Sequence, residues 1–116
     1  METKNALTAL AALAQETRLA VFRLLVETGP EGLPVGKIGE RLGSAPATLS
    51  FHLKELAHAD LVMMRHEGRF IYCLANFATM NGLLAYLTEN CCGGNASAYV
   101  PVCAPVPRQS PRKGPS

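Results

Sequence analysis

Nowhere does the sequence hold the roughly eighteen consecutive apolar residues that a membrane-crossing helix needs. There is no Cys-x-x-Cys pair, no phosphate-cradling glycine loop, and no acid or histidine directly beside a cysteine. An enzyme such as a thiol reductase therefore has little to work with. Internal repeats are absent. An excess of positive charge is missing too: residues 1–89 carry eight Lys/Arg against all nine acids, and Arg108, Arg112 and Lys113 alone bring the net charge to +2. Nucleic-acid binding cannot be argued from total charge, only from where the charges lie.

What is present fits one domain of 116 residues, 48% hydrophobic, with a single modest core. Ala12-Leu13-Ala14 imitates a signal-peptidase site, but only Lys4 supplies positive charge ahead of it and the helical pattern continues beyond. A cytoplasmic protein is expected, in which four cysteines serve as thiols or ligands rather than as a disulfide framework.

Leu7, Leu10, Ala11 and Ala14 share one helical face, which predicts a first helix over residues 4–14. A second is expected over 16–28, with Leu19, Phe22, Leu25 and Val26 inward and Gly29-Pro30 as its stop. Val35, Ile38 and Leu42 define a short third helix ending at Gly43. A fourth opens near Ser44 or Ala45, with Ser44 a candidate N-cap, because Pro46 is tolerated only in a first turn. Its inner face is Leu49, His52, Leu53 and Leu56. Residues 61–64 and 70–74 read as strands joined by a hairpin at Glu67-Gly68, and 77–89 as a last helix. The fold class is mainly α with a small β-hairpin, in the order α-α-α-α-β-β-α. The domain spans residues 1–90, and 91–116 form a flexible Pro/Gly-rich tail that carries thiols.

Two features suggest DNA. A short helix, a tight turn at Gly43-Ser44 and a second helix make the outline of a helix-turn-helix. Ser44, Ala47, Thr48, Ser50, Phe51 and Lys54 lie away from the leucine stripe. Small side chains let the helix enter a major groove about 12 Å wide, where hydroxyls and a lysine reach base edges and phosphates. Arg65, His66 and Arg69 then cluster at the hairpin, where a wing would carry them to the backbone or minor groove.

In this order the segments resemble the ArsR/SmtB family of metal-sensing winged-helix repressors. The resemblance rests on Thr17-Arg18-Leu19, Ile38-Gly39-Glu40-Arg41-Leu42, Ser50-Phe51-His52-Leu53-Lys54-Glu55-Leu56, Ala59-Asp60-Leu61-Val62 and Arg65-His66-Glu67-Gly68-Arg69-Phe70-Ile71-Tyr72. It implies a homodimer paired through the first and last helices, with Leu7, Leu10, Phe77, Met80, Leu84 and Leu87 at the seam. It also implies a double-stranded operator with half-sites about 34 Å apart. The chain departs from the family's usual effector sites, having no thiol at the start of the third helix and no histidine after His66. Its C-terminal thiols resemble those of a subgroup whose As(III) site follows the last helix.

Cys91, Cys92 and Cys103 are the candidate ligands. Soft thiolates select soft acceptors, and three suit As(III) or Sb(III) better than structural zinc, which takes four ligands. Neighbouring residues on a helix point about 100° apart, so the helix must break near Asn90 for Cys91 and Cys92 to converge. Gly93-Gly94 makes irregular backbone accessible there. The expectation is an arsenic-responsive repressor needing no cofactor, with As(III) or Sb(III) as effector. Three alternatives stay open: a methylated trivalent arsenical held by Cys91 and Cys92 alone, thiol redox sensing through a Cys103 disulfide, and a soft divalent metal. A DNA-binding module with incidental cysteines is a further rival. Cys73, between Tyr72 and Leu74, reads as packed core.

Overall fold

Alanine, not leucine, forms the inner face of the first helix. In the computed structural model, which describes residues 1–94, α1 (Thr3–Leu13) buries Ala6, Ala9 and Ala12. Leu7 and Leu10 stay on the surface, 61% and 40% exposed. The small side chains let α1 lie close against α2 (Glu16–Thr28) and the rest of the bundle. On α2 the inward residues are Val21, Phe22 and Leu25. Leu19, expected inward, is 44% exposed, and Val21 takes its place. Gln15 caps this helix by accepting from the Arg18 N–H at 2.9 Å, and Gly29 ends it with a left-handed φ of 96°.

The chain then makes a two-residue strand, β1 (Leu33–Pro34), too short and too proline-interrupted to have been expected. Pro34 is tolerated because β1 is an edge strand. Gly32 is required just before it: its φ is +74°, and a Cβ there would lie 2.7 Å from the Cys73 carbonyl oxygen. Helix α3 (Val35–Leu42) ends in a left-handed Gly43, φ 64°, whose N–H donates to the Gly39 carbonyl. Helix α4 (Pro46–His58) begins after Ala45 with Pro46 in its first turn. Ala45, not Ser44, is therefore the N-cap, and no side chain caps the helix. A proline at the first position already removes one of the orphan N–H groups that a cap would serve.

Strands β2 (Val62–Glu67) and β3 (Phe70–Ala75) pair antiparallel from Val62↔Ala75 to Glu67↔Phe70. The turn is Gly68-Arg69, one residue later than expected, and the strands are longer. With β1 paired to β3 through Leu33↔Cys73 and Pro34↔Tyr72, the sheet order is β1-β3-β2. Helix α5 (Phe77–Leu87) is capped by the Asn76 side chain accepting from the Thr79 N–H.

Leu25, Ile38, Leu49, Leu56, Leu61, Val21 and Cys73 are the largest fully buried side chains, and they draw on both helices and sheet. Burial of each such aliphatic contributes about 1.5–3 kcal/mol against chain entropy. No helix among the described residues is long and apolar enough to cross a membrane. The architecture is a winged helix-turn-helix of five helices and a three-stranded antiparallel sheet.

Candidate nucleic-acid interface and thiol site

The inner face of α4 is the expected one: Leu49, His52, Leu53 and Leu56 are buried. That leaves Ala47, Thr48, Ser50, Phe51 and Lys54 exposed together, with Ser44 half-buried in the turn before the helix. Phe51 is 57% exposed, an unusual place for a phenyl ring unless something apolar meets it. The face offers hydroxyls, one ammonium and an aromatic, set on small residues that allow close backbone approach.

The three basic residues of the wing do not behave alike. His66 and Arg69 are exposed near the tip. Arg65 sits further back and is engaged: Nε donates to Glu67 Oε2 at 2.8 Å and Nη2 to the Glu31 carbonyl at 3.0 Å. Its guanidinium also lies 5.0 Å from the centre of the Tyr72 ring. The ion pair is exposed and contributes little by itself. Together, however, the contacts tie the wing to the turn that follows α2, so Arg65 serves as a strut while Arg69 and His66 point into solvent. Glu67, the acid of the wing, is matched by Arg65, which leaves the tip basic.

Arg18 is a functional candidate that periodicity did not reveal. It lies in α2, where an arginine looks like an ordinary solvated side chain. Instead its Nε donates to the Ala12 carbonyl at 2.6 Å, and Nη1 reaches Nδ1 of His52 at 3.2 Å. The sequence signals were the Thr17-Arg18-Leu19 segment of the family resemblance and a buried-face histidine that needs a donor.

At the far end of the molecule, α5 stops at Leu87 and Thr88 folds its hydroxyl back onto the Leu84 carbonyl at 2.8 Å. Asn90 adopts a left-handed φ of 58°, a conformation asparagine tolerates better than most residues. Cys91 then opens a separate 3₁₀ turn, Cys91–Gly94, its N–H donating to the Thr88 carbonyl at 2.9 Å. Gly93, φ 67°, continues the irregular path. The helix thus ends three residues before the left-handed Asn90, and the adjacent cysteines are not on α5 itself. Cys91 is half-buried; only the backbone of Cys92 is described, and Cys103 lies outside the described residues. Thr3 and Tyr86 join α1 to α5 through a hydrogen bond between their hydroxyls, one turn before the cysteines.

Cys73 belongs to the core. It is fully buried, and burial pushes its pKa from 9.0 up to about 12. The folded state therefore holds this proton more tightly than the unfolded chain. The resulting stability is complete below pH 9 and is lost as pH rises toward 12. Urea denaturation from pH 9 upward should show wild type losing up to about 1.4 kcal/mol per pH unit more than Cys73→Ala. Parallel slopes would mean that the thiol is not held in the core.

Residues 13–65 match the family model of a helix-turn-helix domain. The uncharacterized HTH-type transcriptional regulator YceK of Bacillus subtilis is 39% identical over 61 residues, which span 53% of this chain and 60% of that protein. HlyU from Vibrio cholerae superposes with a TM-score of 0.59 at 32% identity, covering 75% of this chain and 97% of HlyU. An ArsR-like transcriptional regulator from Rhodococcus shares the fold with a TM-score of 0.63 at 24% identity, over 82% of this chain and 85% of its own. Helix pair, wing and relatives agree: the chain belongs to the ArsR/SmtB family of winged helix-turn-helix transcriptional regulators.

Proposed function

We propose that the protein is an arsenic-responsive repressor that holds operator DNA as a homodimer and releases it when As(III) or Sb(III) binds Cys91, Cys92 and Cys103. The observation that carries this reading is the left-handed Asn90 past the end of α5, which sets Cys91 and Cys92 on their own turn. Three thiols fill the valence of a trivalent metalloid, condensing with arsenous acid as three waters leave. Among the described residues no three His, Cys, Asp or Glu side chains are grouped to hold an ion.

On the DNA side, α4 enters the major groove. Thr48, Ser50 and Phe51 face base edges, with Phe51 suited to a thymine methyl, while Ser44 and Lys54 meet phosphates and Ala47 allows close approach. Arg69 and His66 bring the wing to the neighbouring backbone, held at the right height by Arg65. Support for the homodimer comes from apolar surface on α1 and α5. Leu7 and Leu10 lie on α1, and Leu87 on α5, 55% exposed, beside half-buried Phe77, Met80 and Leu84. Such surface on a cytoplasmic protein is what a second copy would cover.

The thiol turn adjoins the seam directly. A metalloid that draws the end of α5 into a new shape shifts α5 against α1, which the Thr3–Tyr86 hydrogen bond links to it. The two reading heads then no longer match half-sites one helical turn apart. Arsenite added to the complex of protein and a fluorescent duplex, enriched by the protein from a random-sequence library, should return the anisotropy to that of free DNA. Retained binding at saturating arsenite would leave a regulator with incidental cysteines.

A further inference from the structure

The guanidinium of Arg18 stands where the seam helix and the reading helix come closest to sharing a polar contact. It donates to the Ala12 carbonyl in the last turn of α1 at 2.6 Å and to Nδ1 of His52 on α4 at 3.2 Å. A guanidinium has no lone pair to offer, so Nδ1 must be the acceptor, and the ring proton sits on Nε2. His52 is only 8% exposed and is the sole buried polar or charged side chain among the described residues. Its neighbours on that face are leucines. A buried imidazole is costly unless it is bonded, and Arg18 supplies the bond.

The contact continues outward. The His52 ring meets Phe51 edge-on, with centroids 5.4 Å apart and planes 65° from each other. Phe51 lies on the exposed face of α4. One unbroken path thus runs from the carbonyl end of α1, through guanidinium and imidazole, to an aromatic ring on the reading surface.

We infer that Arg18 and His52 are positioning residues for DNA reading: the guanidinium fixes the angle at which α4 is presented relative to α1, and the imidazole orients Phe51. The inference rests on α4 being the reading helix. Leucine at position 52 would fill the space and satisfy the core, so the histidine has a use beyond packing. Arginine suits this place because its planar fork can serve a carbonyl and a ring nitrogen at once, which a single ammonium does less well.

The test compares Arg18→Gln, His52→Leu, the double variant, His52→Asn and Thr48→Ala on two probes. One is a duplex enriched by the wild type from a random-sequence library, and the other is a scrambled duplex of equal length at the same salt. All variants are measured where circular dichroism shows them folded. Arg18→Gln and His52→Leu should each weaken binding of the enriched duplex about tenfold or more and leave the scrambled duplex within about twofold. The double variant should be no worse than either single change, because both break one path. His52→Asn, whose Oδ1 stands in for Nδ1 but which lacks the ring that meets Phe51, should recover only part of the loss.

Equal losses on both duplexes, additive losses, or no recovery with asparagine would reduce Arg18 and His52 to ordinary support of the fold and overturn the inference. An enriched duplex lost by Thr48→Ala but kept by Arg18→Gln would overturn it while leaving α4 as the reading helix. If the wild type enriches no duplex at all, the DNA-reading assignment falls and takes the inference with it.

Discussion

Changing Cys91 to serine is expected to leave affinity for the enriched duplex within about threefold of wild type, while arsenite no longer releases the protein at any concentration that empties the wild-type complex. Both halves of that result have a physical basis. Cys91 lies past the end of α5, outside both α4 and the strands of the wing. The substitution keeps the backbone N–H that donates to the Thr88 carbonyl, so the turn itself should persist. A serine hydroxyl is a hard donor, however, and replaces one of only three soft ligands. Loss of an outer-shell partner already costs a metal site about 10- to 100-fold, and loss of a direct ligand should cost at least as much. Cys103→Ser should act in the same direction. If Cys91→Ser removes the response and Cys103→Ser keeps it, the effector is bound by the vicinal pair alone, as a methylated trivalent arsenical would be.

The second large effect is expected from Leu7→Glu. Leu7 is 61% exposed, so a carboxylate there lies in water in a lone protomer and should cost the fold little. In a dimer joined through α1 and α5 the same residue would be buried beside its symmetry mate, placing two unpaired charges at the seam. Sedimentation equilibrium should then show a monomer at micromolar concentration where the wild type is a dimer. Affinity for the enriched duplex should fall by on the order of a hundredfold or more, because one reading head keeps only half of the contacts. Unchanged sedimentation together with unchanged affinity would place the seam elsewhere on the surface. Leu19, also exposed on α2, is then the next position to change.

Much of this molecule could be read from its residues, for identifiable reasons. The inner face of α4 was legible because Leu49, Leu53 and Leu56 repeat at helical spacing with no competing apolar stripe. Helix α2 carries apolar residues around more of its circumference, and spacing could not decide whether Leu19 or Val21 faces inward. The fold buries Val21 and leaves Leu19 on the surface. β1 escaped notice because two residues, one of them proline, carry no periodicity; its existence depends on Gly32 fitting against the carbonyl of Cys73. Ser44 looked like a cap by residue type, yet the left-handed Gly43 and the proline at the first position of α4 leave it no such task.

The candidate site divides in the same way. Thr48, Ser50, Phe51 and Lys54 fall on one exposed face because helix geometry alone places them there. Arg65 was grouped with His66 and Arg69 by nearness in sequence, but strand geometry sends it back toward the Glu31 carbonyl and the Tyr72 ring. Arg18 acts across 34 residues of sequence, and no local pattern announces such a contact. The irregular backbone around Cys91, by contrast, could be expected from Gly93-Gly94, and Asn90 and Gly93 are both left-handed there.

If the thiol turn and the reading helices are two ends of one switch, each must feel the other to the same extent. The most direct test is a calorimetric titration of arsenite into the free protein and into the protein saturated with its enriched duplex. The account predicts weaker arsenite binding to the DNA-bound form, by the same factor by which arsenite weakens DNA binding. Equal arsenite affinities for the two forms would contradict it.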